Sequence, residues 1–85
     1  MRYTVRLDRS PQKLLDVLHG DIYTRIISAL HALADNPRPH GMKKLKGYRD
    51  YWRIRVGDYR IIYAIQDDRL LVIVIRIGHR RDVYS

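Results

Sequence analysis

The chain contains no cysteine and no glutamate. Without cysteine there can be no disulfide, no thiolate zinc site and no thiol nucleophile, and the composition suits a reducing cytosol. Without glutamate, every side-chain carboxylate is an aspartate, which narrows any acid–base scheme. No window approaches the ~18 apolar residues of a membrane span, and the N-terminal MRYTVRLDRS alternates charges where a leader would carry an apolar run. A soluble, cytoplasmic protein with no membrane partner is expected. His19, His31 and His40 fall at no metal-ligand spacing and have no cysteine beside them, so neither metal nor cofactor is expected. Internal repeats and low-complexity tracts are also missing.

What is present is basic charge, unevenly placed. The 85 residues carry a formal net charge of +8. Residues 1–37 are nearly balanced, whereas residues 38–60 hold Arg38, Lys43, Lys44, Lys46, Arg49, Arg53, Arg55 and Arg60 against Asp50 and Asp58 alone. Such a concentration favours a polyanion, either nucleic acid, an anionic membrane or an acidic protein; the plainer alternative is a solvated basic face kept for solubility. The membrane reading is the weaker, because these cations lie on strand-like and loop-like segments rather than along an amphipathic helix. At 46% apolar and 31% charged, the chain can build one core, burying roughly 60 to 65% of its unfolded surface. A single domain over residues 1–85 is expected.

Tyr3, Val5 and Leu7 alternate with Arg2, Thr4 and Arg6, the period of a half-buried strand. Ser10-Pro11 reads as an N-cap and first-turn proline for a short helix bearing Leu14, Leu15 and Leu18, with His19-Gly20 as its stop. Asp21 is placed to cap a second helix, in which Ile22, Tyr23, Ile26, Ile27, Leu30, Leu33 and Ala34 recur at helical spacing up to Asn36-Pro37. PRPHGMKKLKGY, residues 37–48, reads as a loop. From Tyr51 the period becomes two. Gly57-Asp58 suits a two-residue hairpin loop with glycine first, which pairs Val56 with Tyr59, Arg55 with Arg60 and Trp52 with Tyr63. Gln66–Arg69 makes the next turn, and LLVIVI, residues 70–75, reads as a strand buried on both faces and ended by the glycine of RIGHRRDVYS. The predicted fold is α+β: a small antiparallel sheet of about four strands in the order β-α-α-β-β-β, with the helical hairpin packed on one face.

That register puts Trp52, Ile54, Val56, Tyr59, Ile61 and Tyr63 on one face and Tyr51, Arg53, Arg55, Arg60 and Ile62 on the other. The first is the expected core. On the second, Arg55 opposite Arg60 costs a few tenths of a kcal/mol up to about 1, a cost that an anion between them would offset. Guanidinium forks fit phosphate oxygens, and Tyr48, Tyr51 and Tyr84 offer stacking surfaces for bases.

KKLKGYRDYWRIRVGDYRIIYAI, followed by an apolar strand and IGHRRDVY, resembles the RelE/ParE superfamily of bacterial and archaeal toxins from type II toxin–antitoxin pairs. The likeness covers nearly the whole chain, and its motifs are specific together though weak separately. The RelE-like branch is favoured. It implies a ribosome-dependent endoribonuclease that cuts mRNA in the decoding site, with Arg53, Arg55, Arg60, Arg80 and Tyr84 at the positions of the family's catalytic residues. His79, beside Arg80, is an additional proton-transfer candidate. Lys43, Lys44, Lys46, Arg49 and Arg81 are expected to hold mRNA or ribosomal RNA, and a cognate antitoxin is expected to cover the basic face in a hetero-oligomer. Two departures stand out: arginines occupy the strand positions where the best-known relatives have lysines, and no glutamate can act as base. The ParE-like alternative is a toxin that inhibits DNA gyrase without cleaving RNA; a third reading is a degenerate member that only pairs with its antitoxin.

Overall fold

A computed structural model describes residues 2–47, 50–79 and 81. The elements are β1 (Thr4–Leu7), α1 (Arg9–Val17), α2 (Asp21–Asp35), β2 (Lys43–Lys44), β3 (Tyr51–Val56), β4 (Tyr59–Gln66), a 3-10 turn (Asp67–Arg69) and β5 (Leu71–His79). The strands form one sheet in the order β1-β5-β4-β3-β2.

The hairpin has the register that its turn predicts, from Val56 opposite Tyr59 to Trp52 opposite Tyr63. Gly57 supplies the positive φ, +60°, that the first position of this turn requires. The sheet, however, is mixed. β1 pairs in parallel with β5, Val5 beside Val72 and Leu7 beside Val74, so the strand that closes the domain lies next to the strand that opens it. Alternating residues reveal a strand but not its neighbour or its direction, which depend on the crossover through the helices. The expected loop over residues 37–48 likewise contains a fifth strand, the two-residue β2, antiparallel to β3.

Three boundaries also move. α1 begins before Ser10, with Asp8 as its N-cap and Pro11 buried in its first turn. Gly20, at φ +80°, is the N-cap of α2 rather than the end of α1, and Asp21 is that helix's first residue. Leu70 turns in the left-handed region, so β5 starts one residue later and runs on through Gly78 to His79. A backbone irregularity on β5, opposite the Ile62–Tyr63 step, keeps both ends of that long strand in phase with β4.

Both helices cover one face. Leu15, Ile26, Leu30 and Leu33 meet Val56, Ile61, Tyr63, Val72, Val74 and Ile77 in a single buried cluster, edged by Trp52, Ile54 and Tyr59. Each fully buried aliphatic side chain there is worth about 1.5–3 kcal/mol. Tyr63 is wholly buried, and its hydroxyl donates to the Pro37 carbonyl at 2.9 Å. Burial pushes that phenol up to about 12. The segment after α2 is tied down again one residue on, where Arg38 forms a two-pronged pair with Asp67 at 3.0 and 2.7 Å. The Tyr3 hydroxyl donates to the same carboxylate. The bonds from Arg38 and then Tyr3 lower Asp67 to about 2.

Candidate functional site: a cationic sheet face

Because paired residues in neighbouring strands share a face, the registers can be followed across the sheet on the side away from the helices. One row reads Lys43, Arg53, Ile62, Arg76; the next reads Arg55, Arg60, Gly78. Four arginines and a lysine therefore converge on the β2–β5 half of one surface. Burial differs among them. Arg55 is exposed and Arg53 half-buried, whereas Arg60, on a strand flanked on both sides, keeps only 3% of its surface. Packing thus restricts the central guanidinium, while its neighbour across the hairpin can reach outward. Gly78 lies directly opposite Arg60, so that cross-strand neighbour adds no side chain beside it.

Arg76 is the residue that sequence reading assigned to no particular role. Its place on this face follows from β5 continuing past Ile75, in register with Ile62. Ile62 is buried between Arg53 and Arg76, a setting in which arginine stems cover apolar surface and keep their heads outward. An arginine two residues before a strand glycine was the available signal.

The same alternation sends His79 to the other side. It pairs with Tyr59, not with Arg60, and meets the Tyr59 ring edge-on with centroids 5.6 Å apart. Its Nδ1 accepts the backbone N–H of Arg81 at 3.3 Å. Being next to Arg80 in sequence therefore does not place it on the face that carries Arg53, Arg55 and Arg60. Among the lysines, Lys43 joins the arginine row while Lys44 pairs with Trp52 on the helix side; Lys46 and Arg81 are exposed. Tyr48, Arg49, Arg80 and Tyr84 lie outside the described residues.

Beyond the short β2, the free edge of β3 borders a cleft of about 280 Å³ lined by His40, Gly41, Lys43, Arg53, Ile54 and Arg55. A larger groove of about 470 Å³ between β1 and α2 shares none of these residues. Among the described residues, no group of three or more histidine or carboxylate side chains is placed to hold a metal ion, and no helix is long and apolar enough to cross a membrane. The chemistry available to the face is anion binding, and planar guanidinium forks match phosphate oxygens.

Residues 5–84 match the profile of the ParE toxin of type II toxin–antitoxin systems. The chain belongs to this toxin family. Within it the likeness is to RelE proteins. Toxin RelG of Mycobacterium tuberculosis is 29% identical over 85 residues, covering 99% of this chain and 98% of that one. Toxin RelE3 of Methanocaldococcus jannaschii is 46% identical over 44 residues, 52% of this chain and only about half, 48%, of the relative. The crystal structure of the archaeal RelE–RelB complex from Pyrococcus horikoshii OT3 superposes with a TM-score of 0.81 at 27% identity, covering 98% of this chain and 100% of that one. This toxin is thus RelE-like in sequence and architecture, with the mixed sheet and two-helix layer described above.

Proposed function

We propose that the protein is a ribosome-dependent mRNA endoribonuclease, held inactive by a cognate antitoxin. The observation that carries this reading is the convergence of Arg53, Arg55 and Arg60 on one face, with the central guanidinium fixed by packing. Metal-free cleavage requires a ribose 2′-hydroxyl to attack the adjacent phosphorus in line, while charge builds on the phosphate oxygens and on the departing 5′-oxygen. Positioned guanidiniums stabilise that charge, and removing one such donor commonly costs about 10²–10³ in rate. In this scheme Arg53, Arg55 and Arg60 clamp the scissile phosphate, Arg80 serves the leaving oxygen and Tyr84 stacks on a base. Lys43 and Arg76 extend the clamp along the backbone. The antitoxin reading draws support from the complex in which the P. horikoshii RelE relative is bound to RelB. An acidic or amphipathic antitoxin segment would complement this face.

The match to the ParE toxin profile favours a second reading, inhibition of DNA gyrase without RNA cleavage. Purified protein incubated with programmed ribosomes separates them. Mapped mRNA ends within the decoding-site codon, lost in Arg60→Ala and Arg80→Ala, are expected; intact mRNA together with inhibited supercoiling by gyrase would overturn the nuclease assignment.

A further inference from the structure

Among the described residues, the two rows of the arginine face hold no carboxylate and no imidazole. Guanidinium groups stay protonated at neutral pH and ammonium groups ordinarily do so, no glutamate exists in the chain, and His79 faces the helices with Tyr59. The cleft at the edge of β3 holds one ordinary proton acceptor, His40. Its position follows from the backbone. Met42 N–H donates to the Pro39 carbonyl at 3.2 Å, closing a turn with His40 and Gly41 at its centre. Gly41, at φ +95°, supplies the left-handed residue that such a turn needs in its third position. The turn precedes β2, and the exposed His40 lines the same cleft as Arg53 and Arg55.

The turn is firmly mounted. The Pro37 carbonyl accepts the buried Tyr63 hydroxyl, Arg38 is clamped to Asp67, and the Arg38 N–H donates to the Asn36 side chain at 3.1 Å. Core, surface ion pair and local turn thus fix the segment just before His40, the support a proton-transfer group requires. Lys43 from β2 and Arg53 and Arg55 from β3 are the charged groups lining the cleft with it.

We propose that His40 is the general base of the cleavage reaction, an inference that rests on the nuclease reading. Its neutral imidazole takes the proton of the 2′-hydroxyl as the 2′-oxygen bonds to phosphorus. The bond from phosphorus to the 5′-oxygen breaks, and that oxygen leaves with the electron pair and takes a proton from water. The products are a 2′,3′-cyclic phosphate and a 5′-hydroxyl, with no oxidant or metal consumed.

Single-turnover cleavage of mRNA on programmed ribosomes, measured from pH 5 to 9, tests the assignment. The wild type is expected to gain rate through an inflection in the imidazole range, about pH 5 to 8. His40→Gln should cost about 10²–10⁴ and lose that inflection, while ribosome binding stays within about twofold. Added imidazole should restore part of the activity of His40→Ala. His31→Gln, on α2 away from the cleft, is expected to behave as wild type. A His40→Gln enzyme that is within a few-fold of wild type, or is slow but keeps the inflection, would overturn the proposal. So would loss of the inflection in His79→Gln instead. A wild type that leaves mRNA intact would sink the nuclease reading itself, a result distinct from any of these.

Discussion

The two faces of the β3–β4 hairpin are built from the same strands and the same turn, yet they do opposite work. Facing the helices, Val56, Ile61 and Tyr63 are removed from water. Facing away, Arg53, Arg55 and Arg60 place like charges within one or two residues of each other. The first side supplies stability, whereas on the second the like charges of Arg55 and Arg60 oppose one another across the strands. A strand's period of two lets one short sequence meet both demands, provided that its register cannot slip. Gly57-Asp58 provides that lock.

If the faces are so divided, the largest stability loss should come from the helix side. Tyr63→Ala is expected to cost about 3–5 kcal/mol, as deletion of a buried aromatic ring does, out of the roughly 5–15 kcal/mol typical of a domain. It also removes the hydroxyl that holds the Pro37 carbonyl. Urea unfolding would measure the loss. A variant that unfolds at the wild-type midpoint would break the partition, since Tyr63 would then contribute nothing to the core.

A smaller effect, confined to acid, tests how the edge of the core is tied to the turn carrying His40. Asp67 is held down to about 2 by Arg38 and then Tyr3, below the ordinary aspartate value near about 3.9. A folded-state value below the unfolded one means stability that is fully present above about pH 4 and lost as pH falls toward about 2. Asp67→Asn should therefore lower stability near neutrality and flatten the decline between those two pH values. The pair is solvent-exposed, so added salt should shrink the difference. An unchanged acid limb would show that the Arg38–Asp67 pair does not anchor this loop in solution.

The division between faces was legible because it depends on local chemistry alone: a glycine-first turn and strict alternation on either side of it. The position of each strand in the sheet was not. Arg60 lies on a strand with neighbours on both sides, and Arg76 joins the arginine face because β5 continues beyond its apolar run. Both facts depend on sheet order, which no window of sequence contains. The parallel pairing of β1 with β5 was hidden for the same reason. His40 looked inert beside the other histidines because metal spacing was the only pattern against which it was weighed. Its place in the cleft comes from a turn folding back on a strand edge, a tertiary event. His79 shows the converse: it stands near the arginines along the chain, yet the pleat pairs it with Tyr59 rather than Arg60.

The smallest expected change is also the most direct comparison of the two faces. Arg55→Thr removes one member of the cross-strand arginine pair and puts a β-branched residue on an exposed strand position. The hairpin should gain a few tenths of a kcal/mol up to about 1, visible as a higher urea midpoint at unchanged slope. RNA binding should weaken at the same time, and the slope of log affinity against log salt should flatten by about 0.7, the value of one phosphate contact on a single strand. Stability and binding moving in opposite directions is the signature of a charge kept for its ligand. If stability rose with no change in salt slope, Arg55 would be a solvated surface residue, and the clamp would contract to Arg53 and Arg60. A fall in stability would mean that the like-charge pair is already compensated within the fold, leaving no repulsion for a bound anion to offset.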